Sequence, residues 1–242
     1  MANEPLSLLC FSYAGGSAGF YSRWRRLLPY IKVIPIDIPG RGRALDIPAL
    51  VTRDSLIDYL LSHYAKLCVP PFALFGHSLG ARIAFEFQWA LEQVLGLKAA
   101  RLFVSGCLAP ERFARAMSIR EQDLSDETLL RVLEDLGGTP PELMSNPGLM
   151  EAALPMIRAD FLLAIDLSTS RGTLIDAPIN LLLGSRDKVT NLFEDYPGWM
   201  RHTTQQCQVS VIEGDHFFIR SQTALVVSLV GEKLKEFALN VD

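Results

Sequence analysis

Apolar positions along this chain gather into short continuous runs rather than alternating strictly with polar ones. The runs are Leu6 to Phe11, Val33 to Ile38, Phe72 to Phe75, Leu102 to Val104, Ile179 to Leu183 and Val209 to Ile212. Short uninterrupted runs suit strands covered on both faces, as in a parallel sheet. Between them, apolar residues recur at helical spacing over roughly 20–28, 53–67, 80–95, 191–202 and 222–238. The alternation predicts an α/β fold with a mostly parallel central sheet and helices on both faces.

One interval breaks this rhythm, because more than 70 residues separate Val104 from Ile179. A helical insertion is expected there, at about 111–172. Ser125 can cap a helix over Asp126 to Leu136, the segment Gly137-Gly138-Thr139-Pro140-Pro141 can stop it, and Pro147 suits the first turn of another. Leu129, Leu130, Leu133 and Leu136 form an apolar stripe, to which Met150, Leu154, Met156, Ile157, Phe161, Leu162 and Ile165 add. Core packing explains any one of them. Together they suit a lid over an apolar site. A length of 242 residues accommodates one domain with such an insertion better than two complete domains.

The composition, 49% apolar and 21% charged, is that of a compact soluble protein without low-complexity tracts. A formal charge of −4 argues against nucleic-acid binding. The charge is polarised: residues 1–50 carry six Lys/Arg against three Asp/Glu, and residues 111–160 carry five Arg against ten Asp/Glu. Arg23, Arg25, Arg26, Arg41 and Arg43 could therefore meet an acidic partner, although solvated side chains account for each singly. No apolar run approaches the length of a membrane span, and Met1 to Pro5 lacks the basic start of a secretory leader. Cys10, Cys68, Cys107 and Cys207 lie far apart without metal-type spacing. Free thiols, no bound metal, a cytoplasmic location and a monomer are expected.

The chemistry centres on Gly76-His77-Ser78-Leu79-Gly80, which follows the apolar run ending at Phe75 and precedes a helical stretch starting near Ala81. Serine in a G-x-S-x-G context between strand and helix reads as a nucleophile elbow, with the glycines relieving crowding around a strained serine. A serine hydroxyl needs a base, and the base needs an acid to fix its tautomer. Only His202 and His216 follow Ser78. His202 reads as a surface residue at the end of a polar helix. His216 follows the last apolar run, at a strand end where an open parallel sheet gathers its catalytic groups, and is the predicted base. Asp187, after the run at Ile179 to Leu183, is the predicted acid. Asp215 competes, but a residue adjacent to the histidine rarely folds back onto its ring, so a loop or capping role suits it better. His77 is expected to shape the elbow, and His63 to be structural. For an oxyanion, the backbone N–H groups of Leu79 and Ala14 are the predicted donors, the latter in the glycine-rich loop Ser12 to Gly19. That loop matches neither phosphate-cradling nor dinucleotide glycine patterns.

Taken together, these residues resemble the type II thioesterases that accompany nonribosomal peptide and polyketide synthases, within the α/β-hydrolases. The matching segments are Phe11 to Ser17, Pro39-Gly40-Arg41-Gly42-Arg43, the elbow, Leu136 to Pro140, Pro155 to Phe161 and Gly214-Asp215-His216-Phe217-Phe218. Departures from the family pattern are Leu79 where Met is common, Asp215 where Gly is common, and Ile165-Asp166 where a glutamate is expected. The resemblance implies hydrolysis of acyl groups from the phosphopantetheine arm of acyl- or peptidyl-carrier domains, clearing aberrant or stalled chains. Ser78 would attack, His216 would move the proton and Asp187 would orient it. The arm belongs to the substrate, so no cofactor is expected. A medium-chain acyl-carrier thioesterase or a small-molecule esterase would use the same triad, and a non-catalytic acyl- or carrier-binding module is the remote alternative.

Overall fold

A computed structural model of the chain describes residues 5–117, 123–137, 146–169 and 173–238. The predicted strands form one sheet: β1 (Ser7–Phe11), β2 (Lys32–Ile36), β3 (Phe72–His77), β4 (Arg101–Ser105), β5 (Ile179–Gly184) and β6 (Cys207–Ile212). Their order is β2-β1-β3-β4-β5-β6, and every neighbouring pair is parallel. Burial follows position in the sheet. All residues of β1 and β3 are buried, whereas edge strand β6 is mostly half-exposed. Continuous apolar runs are thus required in the middle and relaxed at the rim.

Alternate residues of each inner strand feed two cores. Leu9, Phe11, Leu74, Leu102 and Val104 face one side, against α2 (Arg53–Tyr64), α3 (Leu79–Leu95), the end of α6 (Pro147–Leu167) and α7 (Leu192–Met200). Leu8, Cys10, Ala73, Phe75 and Phe103 face the other, against α1 (Trp24–Leu27), α8 (Phe218–Ser221) and α9 (Thr223–Ala238). A short 3-10 segment, Ala18–Arg23, precedes α1, so the helix expected near 20–28 is tighter than an α-helix through its first half.

The long interval between β4 and β5 holds α4 (Pro110–Ala116), α5 (Asp126–Leu136) and α6. The capping residues act as their chemistry dictates. The Ser125 hydroxyl accepts the N–H of Thr128 at 3.2 Å, and Asn146 accepts that of Leu149 at 3.2 Å, with Pro147 in the first turn. Gly137 ends α5 in the left-handed conformation, φ +72°. Gly138 to Pro141, the rest of the predicted stop, lies outside the described residues. Leu124, Leu129, Leu133, Met150, Leu154, Ile157 and Phe161 form a small core of their own. Among the described residues, no helix is long and apolar enough to cross a membrane.

Candidate active site

Ser78 stands between the end of β3 and the start of α3 at φ +53°, ψ −122°, a region that costs a residue with a side chain about 1–3 kcal/mol. Among the described residues it is the one non-glycine with positive φ. A Cβ at Gly76 would collide with the backbone of Gly80 and Ala81, and one at Gly80 with the carbonyls of Phe11 and Ser12. The two glycines therefore let the helix start directly against the sheet. The turn presents the serine hydroxyl where the parallel strands end.

His216 bridges that hydroxyl to Asp187. Its Nδ1 donates to Asp187 Oδ2 at 3.0 Å, which leaves Nε2 to accept the Ser78 hydroxyl proton at 3.1 Å. Both partner side chains are sequestered, His216 at 4% exposure and Asp187 at 0%. Burial pushes the Asp187 carboxyl up, but hydrogen bonds from His216, the Val189 N–H and the Thr190 hydroxyl, with attraction to the His216 ring, hold it below its ordinary value. It thus stays ionised to fix the imidazole. The loops carrying the pair are stitched together: the N–H of Ser185 donates to Ile212 O and that of Arg186 to Gly214 O, both at 2.8 Å. Asp215 points to solvent, and its Oδ1 accepts the N–H of Phe217 at 2.9 Å, a local turn bond at the start of α8.

His77 lies fully buried behind the elbow, its Nδ1 2.9 Å from Ser105 Oγ and its ring among Tyr13, His216, Phe217 and Phe218. Burial, then repulsion from His216, holds its pKa well below the ordinary 6.5. His63 sits exposed on α2, stacked on Tyr59. His202 departs from expectation. It is 3% exposed, with Nδ1 donating to the Thr173 carbonyl at 2.6 Å and the ring against Phe85 and Trp199. Just past the end of α7, an isolated bridge between Ile175 and Thr203, with the N–H of Ile175 donating to the carbonyl of His202 at 3.1 Å, holds this segment against the chain leading into β5, a long-range contact that no local pattern announces. Arg41 is corrected too. At 5% exposure and paired with Asp160, it cannot meet a partner, whereas Arg23, Arg25, Arg26 and Arg43 are exposed.

A cavity of about 90 Å³ opens beside the serine, walled by Ala14, Ser78, Leu79, His216, the β4 loop Gly106 to Leu108, and Val189. The insertion closes its far side with Phe113, Met117, Leu136, Asp160, Phe161 and Ala164. Cys107 borders the cavity, but burial pushes its thiol up to about 12, which leaves it protonated and Ser78 as the available nucleophile. Such a site can add a serine oxygen to an acyl carbonyl and seat an apolar chain. The sequence pointed to no role for Asp160 in the site and placed Arg41 on a partner-facing surface, although both fell inside singled-out segments. Each segment carries a second charge as well, Arg43 and Arg158, so nothing local distinguished the Arg41–Asp160 pair.

The model of the family described as thioesterase domain matches residues 7–234. The chain is 31% identical to the protein named linear gramicidin dehydrogenase LgrE of Brevibacillus parabrevis, over 98% of this chain and 90% of that one. It is 29% identical to gramicidin S biosynthesis protein GrsT of Aneurinibacillus migulanus, over 95% and 89%. The solved type II thioesterase BorB from the borrelidin biosynthetic cluster is similar at a TM-score of 0.84 and 31% identity, covering 96% of this chain and 94% of that one. The word dehydrogenase in the first name finds no counterpart in the loop after β1, which lacks the dinucleotide G-x-G-x-x-G pattern.

Proposed function

Because the chain belongs to the thioesterase domain family, we propose that it hydrolyses acyl thioesters carried on the phosphopantetheine arm of acyl- or peptidyl-carrier domains, as an editing enzyme of nonribosomal peptide or polyketide synthesis. The observation that carries this reading is His216 bridging Ser78 and Asp187 beside an apolar cavity. The Ser78 hydroxyl passes its proton to His216 Nε2 as its oxygen bonds to the thioester carbonyl carbon. The tetrahedral oxyanion is held by the N–H groups of Ala14 and Leu79. His216 then protonates the departing sulfur, the C–S bond breaks, and the acyl group stays on Ser78. Water, deprotonated by the same histidine, attacks the ester and releases the acid and the free serine.

The helical insertion acts as the lid of the acyl site, since Phe113, Met117, Leu136 and Phe161 supply its apolar wall. Relatives named for gramicidin S biosynthesis and the borrelidin cluster support the carrier-bound substrate class. Side-by-side kcat/KM on acyl-carrier, acyl-CoA and p-nitrophenyl substrates tests the reading. The carrier-bound thioester should be preferred by at least about tenfold, equivalent to ~1.4 kcal/mol of transition-state binding. A preference for the p-nitrophenyl ester would instead make the chain a small-molecule esterase.

A further inference from the structure

Helix α6 enters the site through Asp160, a carboxylate that the triad does not use. It is 1% exposed. Its Oδ2 accepts the N–H of Gly15 at 2.7 Å and Nη1 of Arg41 at 3.0 Å, and its Oδ1 accepts Nη2 of Arg41. Arg41, in the loop after β2, also donates Nη1 to the carbonyl of Gly16 at 3.2 Å. Ile157, three residues earlier on α6, faces the open side of Gly15.

These contacts grip the turn that carries Ala14. The N–H of Gly16 donates to the carbonyl of Tyr13 at 2.9 Å, and Gly15, third in the turn, has φ +72°. That positive φ suits a type II turn. In a trans peptide the C=O and N–H point in opposite directions, so turning the Tyr13 carbonyl inward aims the Ala14 N–H outward. Ala14 borders the same cavity as Ser78 and His216. Asp160 then fixes the next peptide, Ala14–Gly15, through the Gly15 N–H, and Arg41 fixes the exit of the turn, the Gly16–Ser17 peptide, through the Gly16 carbonyl.

We propose that Asp160, held by Arg41, is a positioning residue that fastens the Tyr13–Gly16 turn with the Ala14 N–H aimed at the oxyanion, so that a complete oxyanion hole requires helix α6 to be seated. This rests on the thioesterase reading above. A swing of α6 away from the sheet would leave Ser78, His216 and Asp187 in place and remove one of the two donors. The insertion thereby takes part in the chemistry as well as in covering the acyl chain.

The test uses Asp160→Ala, Asp160→Asn and the double variant Asp160→Leu/Arg41→Met. The double variant removes both charges, because a lone buried arginine could by itself unfold the chain. Expected for Asp160→Ala and the double variant is a fall in kcat of about 100-fold with KM within about threefold. The Ki of a trifluoromethyl ketone that adds to Ser78 should rise by the same factor, while the pH profile of kcat/KM keeps its shape. Asp160→Asn, which still offers Gly15 an acceptor, should keep at least about a tenth of the wild-type kcat. A folded double variant with wild-type kcat overturns the proposal, and so does a loss of kcat that leaves the ketone Ki unchanged. Wild-type protein that neither hydrolyses thioesters nor labels at Ser78 with a fluorophosphonate would instead reject the thioesterase reading itself.

Discussion

Ser78 carries a conflict between stability and chemistry. Its backbone at φ +53° is tolerable for glycine and strained for anything else. Ser78→Gly should therefore be more stable to urea than Ser78→Ala, by about 1–2 kcal/mol in unfolding free energy and with a correspondingly higher midpoint, with both inactive. Equal midpoints would show that the elbow stores no strain. His77 sets a different condition. The unfolded chain takes up a proton near the ordinary histidine value of 6.5, while the buried ring stays neutral until well below it. Protons thus favour unfolding in that window: the contribution is whole above about pH 6.5 and is lost as pH falls, at up to about 1.4 kcal/mol per pH unit. Urea midpoints between pH 5 and 7.5 should slope less steeply in His77→Asn than in the wild type, and an unchanged slope would refute the assignment. At this scale the sequence was legible wherever a residue followed a strand end, as Ser78, Asp187 and His216 do. It was not legible for Asp160 and Arg41, because they lie 119 positions apart and their pairing follows from the fold.

Elements show why some spans were plain and others were not. Strands β1, β3, β4 and β5 are mostly apolar because helices cover both faces, with Ser7, His77, Arg101, Ser105 and Asn180 as the polar exceptions, and their apolar runs could be counted from the sequence. The insertion was visible as an interruption and its helix starts as Ser125 and Pro147, but the Asn146 cap and the way its stripes face were not. The structure divides them: Leu129, Leu133 and Ile157 join the insertion's own core, while Met117 and Leu136 reach the cavity and Phe161 touches both. Phe161→Ala should open the acyl wall without disturbing Ser78. We expect kcat/KM for long acyl chains to rise relative to short ones by about tenfold across a graded panel. A uniform loss across all lengths would show that Phe161 serves packing alone. His202 belongs to this scale as well. Its segment looks polar in sequence, yet the structure ends α7 at Met200, and the bridge from Ile175 to Thr203 goes with burial of the two residues His202 and Thr203 beyond it.

The whole molecule couples a rigid sheet to an insertion that completes the site. Strand ends present Ser78, Asp187 and His216, the β1 loop presents Ala14, and the insertion supplies both the apolar wall and the Asp160 clamp. Charge is divided in the same way: Arg23, Arg25, Arg26 and Arg43 are exposed on the N-terminal side, away from the acidic helices of the insertion in sequence. Reversing Arg23 and Arg26 together should lower kcat/KM for an acidic acyl-carrier at low salt by about tenfold and leave p-nitrophenyl ester turnover unchanged. An unchanged carrier rate would remove that face from docking. The central claim is that an acyl group passes from a carrier thioester to Ser78 and then to water. Rapid-quench intact mass spectrometry with a loaded carrier tests it most directly. The account predicts a transient acyl adduct on Ser78 that forms as the free-thiol carrier appears and decays to the acid, and no adduct or thiol release with Ser78→Ala. Release of the free-thiol carrier by Ser78→Ala at the wild-type rate would contradict it.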